Sequence, residues 1–324
     1  MTERIITYAD AINEAMRQVM KRDSDVILFG ENVSSNWRPA TKGLKEEFGR
    51  IRVRDAPITE TAFIGMGVGA AIAGMKPIVE LMLVDFGLVA MDQIMNQMAK
   101  TTYMTGGSVN VPMVLRVIYG AGGGNAATHS ETLYGLYAHM PGIKVVVPSN
   151  PYDAKGLLIK AIMDPNPVAF FEHRLLYKIE GHVPETEYTL PFGVSNIVRE
   201  GSDVTVVALG RMVQECIKSA DNLKGKVSVE VIDPRTIVPL DEESIIRSVE
   251  KTGRLVVVDE DYENCGFSSE VAALVAEKGF KHLQAPVTRV ANPNVPIPFN
   301  QTLEKQVIPD VDKITRVLRS VIKT

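Results

Sequence analysis

The chain has 324 residues, 45% hydrophobic and 23% charged, with a formal net charge of −4; its length favours two domains over a single core. The acidic balance and the lack of a Lys/Arg block argue against nucleic-acid and anionic-membrane partners. No apolar run reaches about 18 residues and the N-terminus has no secretory apolar core. With Cys216 and Cys265 as the only cysteines, a reduced, cytoplasmic protein or a processed mature form is expected.

Residues 8–22 place Ala11, Ala15, Met16 and Val19 at near-helical spacing and predict an amphipathic helix. The apolar run 25–31, closing on Gly30-Glu31, predicts a buried parallel strand. A loop with the sole tryptophan, Trp37, and a short helix over 42–48 follow. The rest of the chain is organised around residues 52–100. Glu60 stands in a turn, followed by a small-residue helix (Gly65, Gly67, Gly69, Gly74), an apolar strand over 77–83 and an amphipathic Met-rich helix over 86–102. Desolvation favours the protonated form of a carboxyl leading into so much apolar surface. Such a group can hold or pass a proton near neutrality, as acid–base work requires. Alternatively, Thr59 or Thr61 caps a helix and Glu60 satisfies backbone donors; periodicity alone favours that reading.

Residues 111–119 predict a strand, and Gly120 to Asn125 (GAGGGN) a flexible loop leading to His129. Ser130 is expected to cap a helix over 131–140. Strands over 144–148 and 168–173 flank a helix over 150–164, and this alternation means βαβ units on a parallel sheet. Residues 181–197, broken by Pro184 and Pro191, read as a linker between a domain over 1–180 and a smaller one over 198–324. Strands and helices alternate again there, closing with a helix over 310–322. The expected fold class is α/β with two doubly wound domains.

Ligands collect at the carboxyl ends of strands in open α/β sheets. That rule selects Gly30-Glu31, the Glu60 turn, residues 83–86, the loop 120–130 and Glu172-His173. Neither glycine set, 65–69 or 120–124, has the strand–turn–helix context of G-x-G-x-x-G, which counts against the competing reading of a nicotinamide dehydrogenase. A loop able to move precedes His129, which favours a working histidine; a plain loop histidine is the alternative. His139, His173, His182 and His282 lack metal-ligand spacing. No nucleophile elbow, Walker loop or zinc motif is present.

Longer motifs carry more information: DAPITE (55–60), GMGVGAAIAGMKPIVE (65–80), DFGLVAMDQIMNQMAK (85–100), THS (128–130), PSNPYDAKGLL (148–158), DPRTIVPLD (233–241) and PNVPIPFNQTLE (293–304). With them the chain resembles, over nearly its whole length, the β subunit of the thiamine diphosphate-dependent E1 component of 2-oxo acid dehydrogenase complexes. That transketolase-like family includes pyruvate, branched-chain and acetoin dehydrogenases. The resemblance implies an N-terminal pyrimidine-binding domain and a C-terminal transketolase-like domain. It also implies a divided site. The β subunit holds the cofactor's aminopyrimidine. An α subunit holds the diphosphate and Mg²⁺ through a Gly-Asp-Gly motif that this sequence lacks. The implied enzyme is an α₂β₂ heterotetramer, an oxidoreductase active only with α.

By the same resemblance, Glu60 hydrogen-bonds N1′ of the pyrimidine and promotes the imino tautomer that activates the thiazolium carbon. Met82 and Phe86 pack on the pyrimidine, and Glu31 is a nearby acid linking paired sites by proton transfer. His129 stands beside the thiazolium and assists substrate binding or acyl transfer to lipoyl-lysine of an E2 acyltransferase. Met113, Ala161, Ile162, Asp164 and Asn166 match a structural K⁺ site built mainly from carbonyls. The implied reaction forms a hydroxyethyl-cofactor intermediate from acetoin or pyruvate and passes the acetyl group to E2. ENC, AALVAEKGF and VPIPFN lean towards acetoin, whereas FFEHRLLYK and SVEKTGR look like pyruvate dehydrogenase; a branched-chain 2-oxo acid is a further alternative. Two stretches depart from the family pattern: residues 32–39, which puts contacts with α in doubt, and Pro298-Phe299-Asn300. A non-catalytic assembly subunit is the reading from another class.

Overall fold

Helix Tyr8–Arg22 shows how local chemistry sets an element. The Thr7 side chain caps it by accepting from Asp10 N, Lys21 and Arg22 lie in the last turn, and Ile12, Ala15, Met16, Val19 and Met20 are fully buried. That stripe packs against helix Pro151–Ile162, which Asn150 caps and Pro151 opens. Each large apolar side chain buried there is worth about 1.5–3 kcal/mol. The computed structural model describes residues 4–36 and 38–323; Trp37 lies outside the described residues.

The chain forms two compact units. One takes the chain up to Tyr119 together with Tyr137–Phe192. Its strands are β1 (Ile5–Thr7), β2 (Val26–Gly30), β3 (Val53–Asp55), β4 (Lys76–Leu81), β5 (Val114–Tyr119), β6 (Lys144–Val146), β7 (Val168–His173) and β8 (Glu180–His182). Six of them form a parallel sheet in the order β6-β7-β5-β4-β2-β3, while β1 and β8 pair antiparallel. Parallel strands covered on both faces need continuous apolar runs, which these supply. Register aligns Gly30 with Glu80, and Glu80 with Arg116, in one row across β2, β4 and β5.

Helix Glu60–Ile72 lies against β4. An added Cβ on Gly67 would come within 2.7 Å of Val79 Cγ2 and 3.0 Å of Met113 Cε, so the small residues serve close packing. The expected Met-rich helix is less regular. A 3₁₀ segment, Val84–Ala90, precedes a π-helical stretch, Gln93–Met98, and helix Ala99–Met104.

The second unit joins Gly120–Leu136 to the chain from Gly193 onward. Its strands are β9 (Asn196–Arg199), β10 (Val204–Ala208), β11 (Val229–Asp233), the short β12 (Thr236–Val238), β13 (Leu255–Tyr262) and β14 (Thr288–Asn292). The sheet β14-β13-β10-β11-β9 is parallel except for β9. Helices Arg211–Asn222 and Val311–Val321 close its core over Val206, Val213, Ile314 and Leu318. Residues 131–133, expected in a helix, lie outside it; the helix starts at Tyr134. Ser130 Oγ is buried without a hydrogen-bond partner, so it caps nothing, and Leu133 has φ +49°. The chain is held there by β13, where Thr132 Oγ1 donates to Glu260 O (3.1 Å). Among the described residues, no helix is long and apolar enough to cross a membrane.

Candidate active site

Two carboxyls meet beyond the carboxyl ends of β2 and β3. Strand β2 ends on Gly30, whose φ is +149°; an added Cβ would lie 2.4 Å from the Glu80 carbonyl oxygen. Only glycine fits that approach. It delivers the next residue, Glu31, into the interior at 5% exposure, and Glu60, which opens its helix, is 6% exposed.

The capping alternative for Glu60 fails on geometry. Thr59 makes no side-chain cap and donates to Pro57 O (3.1 Å), while Thr61 donates to Val89 O (2.8 Å). Glu60 instead lies close enough to Glu31 for the two carboxyls to interact directly. Burial, then the neighbouring Glu60 carboxyl, pushes the Glu31 carboxyl above its ordinary value against the pull of Arg38. No donor among the described residues reaches Glu31 Oε1. Met82 and Phe86 follow β4 and are half-buried.

Behind the pair runs a buried chain of charges. Arg38 donates to Glu80 (2.8 Å), and the fully buried Arg116 donates to Glu80 (2.6 Å). Arg116 also grips Glu172 with Nε and Nη2 (2.6 and 2.8 Å), and Tyr177 Oη donates to Glu172 (2.7 Å). Burial works against the Arg116 charge, yet Glu172 and Glu80 raise its hold on the proton. Glu31, Glu60, Glu80 and Glu172 outnumber Arg38 and Arg116, an excess of buried carboxyls that favours the protonated form of Glu31. Sequence reasoning missed Arg38, Arg116 and this role of Glu80. The available signal for Glu80 and Arg116 was a charged residue flanked by apolar ones in the interior of β4 and of β5, which must pair if buried.

His129 belongs to the second unit and is exposed. Its Nδ1 is 2.9 Å from Thr128 Oγ1, and its N–H donates to Ala126 O (3.2 Å), where Ala126 has φ +67°. The structure therefore gathers Glu31 and Glu60, with Met82 and Phe86 just past β4, on one unit, and sets His129 on the other.

Two domain models match: "Transketolase, pyrimidine binding domain" over residues 4–180 and "Transketolase, C-terminal domain" over 193–314. The chain is 47% identical over 329 residues to the acetoin:2,6-dichlorophenolindophenol oxidoreductase subunit beta of Bacillus subtilis, covering 97% of this chain and 96% of the relative. This chain belongs to the transketolase-like E1 β-subunit family. Other members at similar distance are the 2-oxoisovalerate dehydrogenase subunit beta of Bacillus subtilis (42%, covering 97% of this chain and 98% of the relative) and the pyruvate dehydrogenase E1 component subunit beta of Rickettsia felis (43%, 98% of both). A solved split-gene transketolase, described as an inactive β4 tetramer, shares the fold with a TM-score of 0.80 at 20% identity over 98% of both chains.

Against this family background, the five residues expected around K⁺ all lie in the first unit. The Met113 carbonyl accepts from Val168 N (2.9 Å) and the Ala161 carbonyl from Asp164 N (3.2 Å). Asn166 N donates to Asp164 Oδ1 (3.0 Å), and Lys144 Nζ sits 2.6 Å from both Asp164 carboxylate oxygens. Among the described residues, no group of three or more His, Cys, Asp or Glu is placed to hold a metal ion.

Proposed function

We propose that this chain is the pyrimidine-holding half of a thiamine diphosphate-dependent E1, with acetoin as substrate. The observation that carries the reading is the buried pair of neighbouring carboxyls, Glu31 after β2 and Glu60 at the start of the helix that follows β3. An aminopyrimidine offers a ring nitrogen that accepts and an amine that donates. A Glu31 carboxyl that favours its protonated form and a Glu31 oxygen that no protein donor reaches match that pattern. When bound, thiamine diphosphate supplies a nucleophilic carbon for cleaving a bond next to a carbonyl. Glu60 would hold a proton at the pyrimidine nitrogen, Glu31 would serve as the neighbouring acid, and Met82 and Phe86 would give the ring its apolar contact. His129 serves the substrate or the acyl group. An α subunit completes the α₂β₂ assembly with Mg²⁺ and the diphosphate site, and a lipoyl-bearing E2 accepts the product.

The choice of acetoin is supported by named relatives at 47% and 46% identity, against 43% for pyruvate dehydrogenase β subunits. The reading includes a structural K⁺ on the carbonyls of Met113, Ala161, Ile162, Asp164 and Asn166. Lys144 already neutralises the Asp164 carboxylate, so a cation would rely on carbonyl lone pairs. A higher Tm in KCl than in choline chloride is expected, and equal values would remove the ion.

The deciding experiment reconstitutes the chain with its α partner and compares acetoin, pyruvate and a branched 2-oxo acid by dye reduction. Acetoin should give the highest kcat/KM. Glu60→Gln should lower turnover by about 10²–10⁴-fold while α–β assembly is kept. Near-normal turnover by that variant would refute the role of Glu60.

A further inference from the structure

We propose that Glu304 is a positioning residue for His129, acting by clamping the glycine loop that precedes it. The inference rests on the role proposed above for His129. Glu304 lies on helix Gln301–Val307 and is 1% exposed. Its Oε1 accepts from Gly122 N (2.9 Å) and Gly124 N (3.2 Å), and its Oε2 accepts from Gly124 N (3.1 Å). Gly122 and Gly124 have φ of +100° and +66°, conformations that L side chains rarely adopt. Their N–H groups can thus converge on one carboxylate, as in anion-binding backbone nests.

The same helix face seats the loop a second time. An added Cβ on Gly124 would lie 2.9 Å from Gln301 Cγ, and Gln301 and Glu304 are three residues apart on one face. Upstream, Gly120 N donates to Glu131 O (3.0 Å) and Ala121 N to Glu260 Oε1 (2.8 Å). Downstream, the chain turns at Ala126 and His129 N closes that turn. A glycine run has the most backbone freedom to lose, and charge-assisted hydrogen bonds are the strongest available restraint on it. Glu304 spends its carboxylate on this loop. Where the loop ends fixes where His129 begins.

The test has two arms. In the full-length chain, amide hydrogen exchange at residues 122–124 should rise at least tenfold in Glu304→Ala, with β10 and β13 unchanged. Glu304→Gln, which keeps one acceptor oxygen, should fall between. In the complex reconstituted with α, Glu304→Ala should lower kcat at least tenfold at unchanged α–β assembly, and Glu304→Gln should recover part of the loss. Glu304→Ala should cost nothing further in a His129→Ala background, because both changes remove one arrangement. Should Glu304→Ala fail to fold, Glu304→Gln takes its place in the same cycle. Unchanged loop exchange, or equal losses with and without His129, would overturn the proposal. A wild-type complex inactive on all three substrates would instead refute the proposed function, and the exchange comparison would still decide the clamp.

Discussion

Replacing Arg116 by Met removes the cation at the centre of the buried network and leaves the volume nearly filled. Arg116 is fully buried and makes three charged hydrogen bonds of 2.6–2.8 Å. Without it Glu80 keeps Arg38, while Glu172 keeps only the Tyr177 hydroxyl among the bonds described. Glu172 is therefore the carboxylate left uncompensated. Removing one partner of a buried pair costs about 3–5 kcal/mol, a large share of the roughly 5–15 kcal/mol that stabilises a domain. For a domain of about 150–250 residues, that corresponds to a Tm lower by roughly 6–20 °C. Urea unfolding followed by hydrogen exchange in β4, β5 and β7 isolates this unit from the other one, since a two-unit chain need not unfold in one step. The double variant Arg116→Met/Glu172→Gln should recover about half of the loss or more, because no unpaired charge stays buried. A loss below about 1 kcal/mol in the single variant, or no recovery in the double, would refute the electrostatic account in favour of simple packing.

Glu31 is held above its ordinary 4.5 by burial, then by Glu60. Its ionisation therefore costs nothing below that value and costs more as pH climbs through the raised one. Glu31→Gln should gain stability relative to wild type with rising pH above 4.5 and then level off; a pH-independent difference in Tm would contradict this. Asp261 is pushed from 3.8 to about 7 by burial and then by the Asp259 charge, so the advantage of Asp261→Asn should grow from pH 4 to about 7 and flatten above, read by Tm against pH. Gly67→Ala should destabilise by about 1–3 kcal/mol through overpacking, since its Cβ would meet Val79 at 2.7 Å. Gly69→Ala, with nothing within 4 Å of its Cβ, should stabilise the isolated chain by about 0.5–1 kcal/mol; equal effects on the urea midpoint would refute the packing role of Gly67.

Much of this molecule was written locally. Caps at Thr7, Asn150, Asp241 and Asp310 start their helices as an N-cap should, because a cap involves residues only two or three apart. The apolar runs named the buried strands, since parallel strands hidden on both faces cannot alternate. Ser130 had the sequence of a cap and failed, because a side chain–backbone bond to β13 holds the chain near it out of the helix. The motifs named the family and the acid Glu60. What they could not supply was the meeting of Glu60 with Glu31, the Arg38–Glu80–Arg116–Glu172 chain, or the attachment of Gly120–Leu136 to the second unit. Those depend on register between strands far apart in sequence and on the cost of burying charge. Neither exists until the sheet has formed and water has left it.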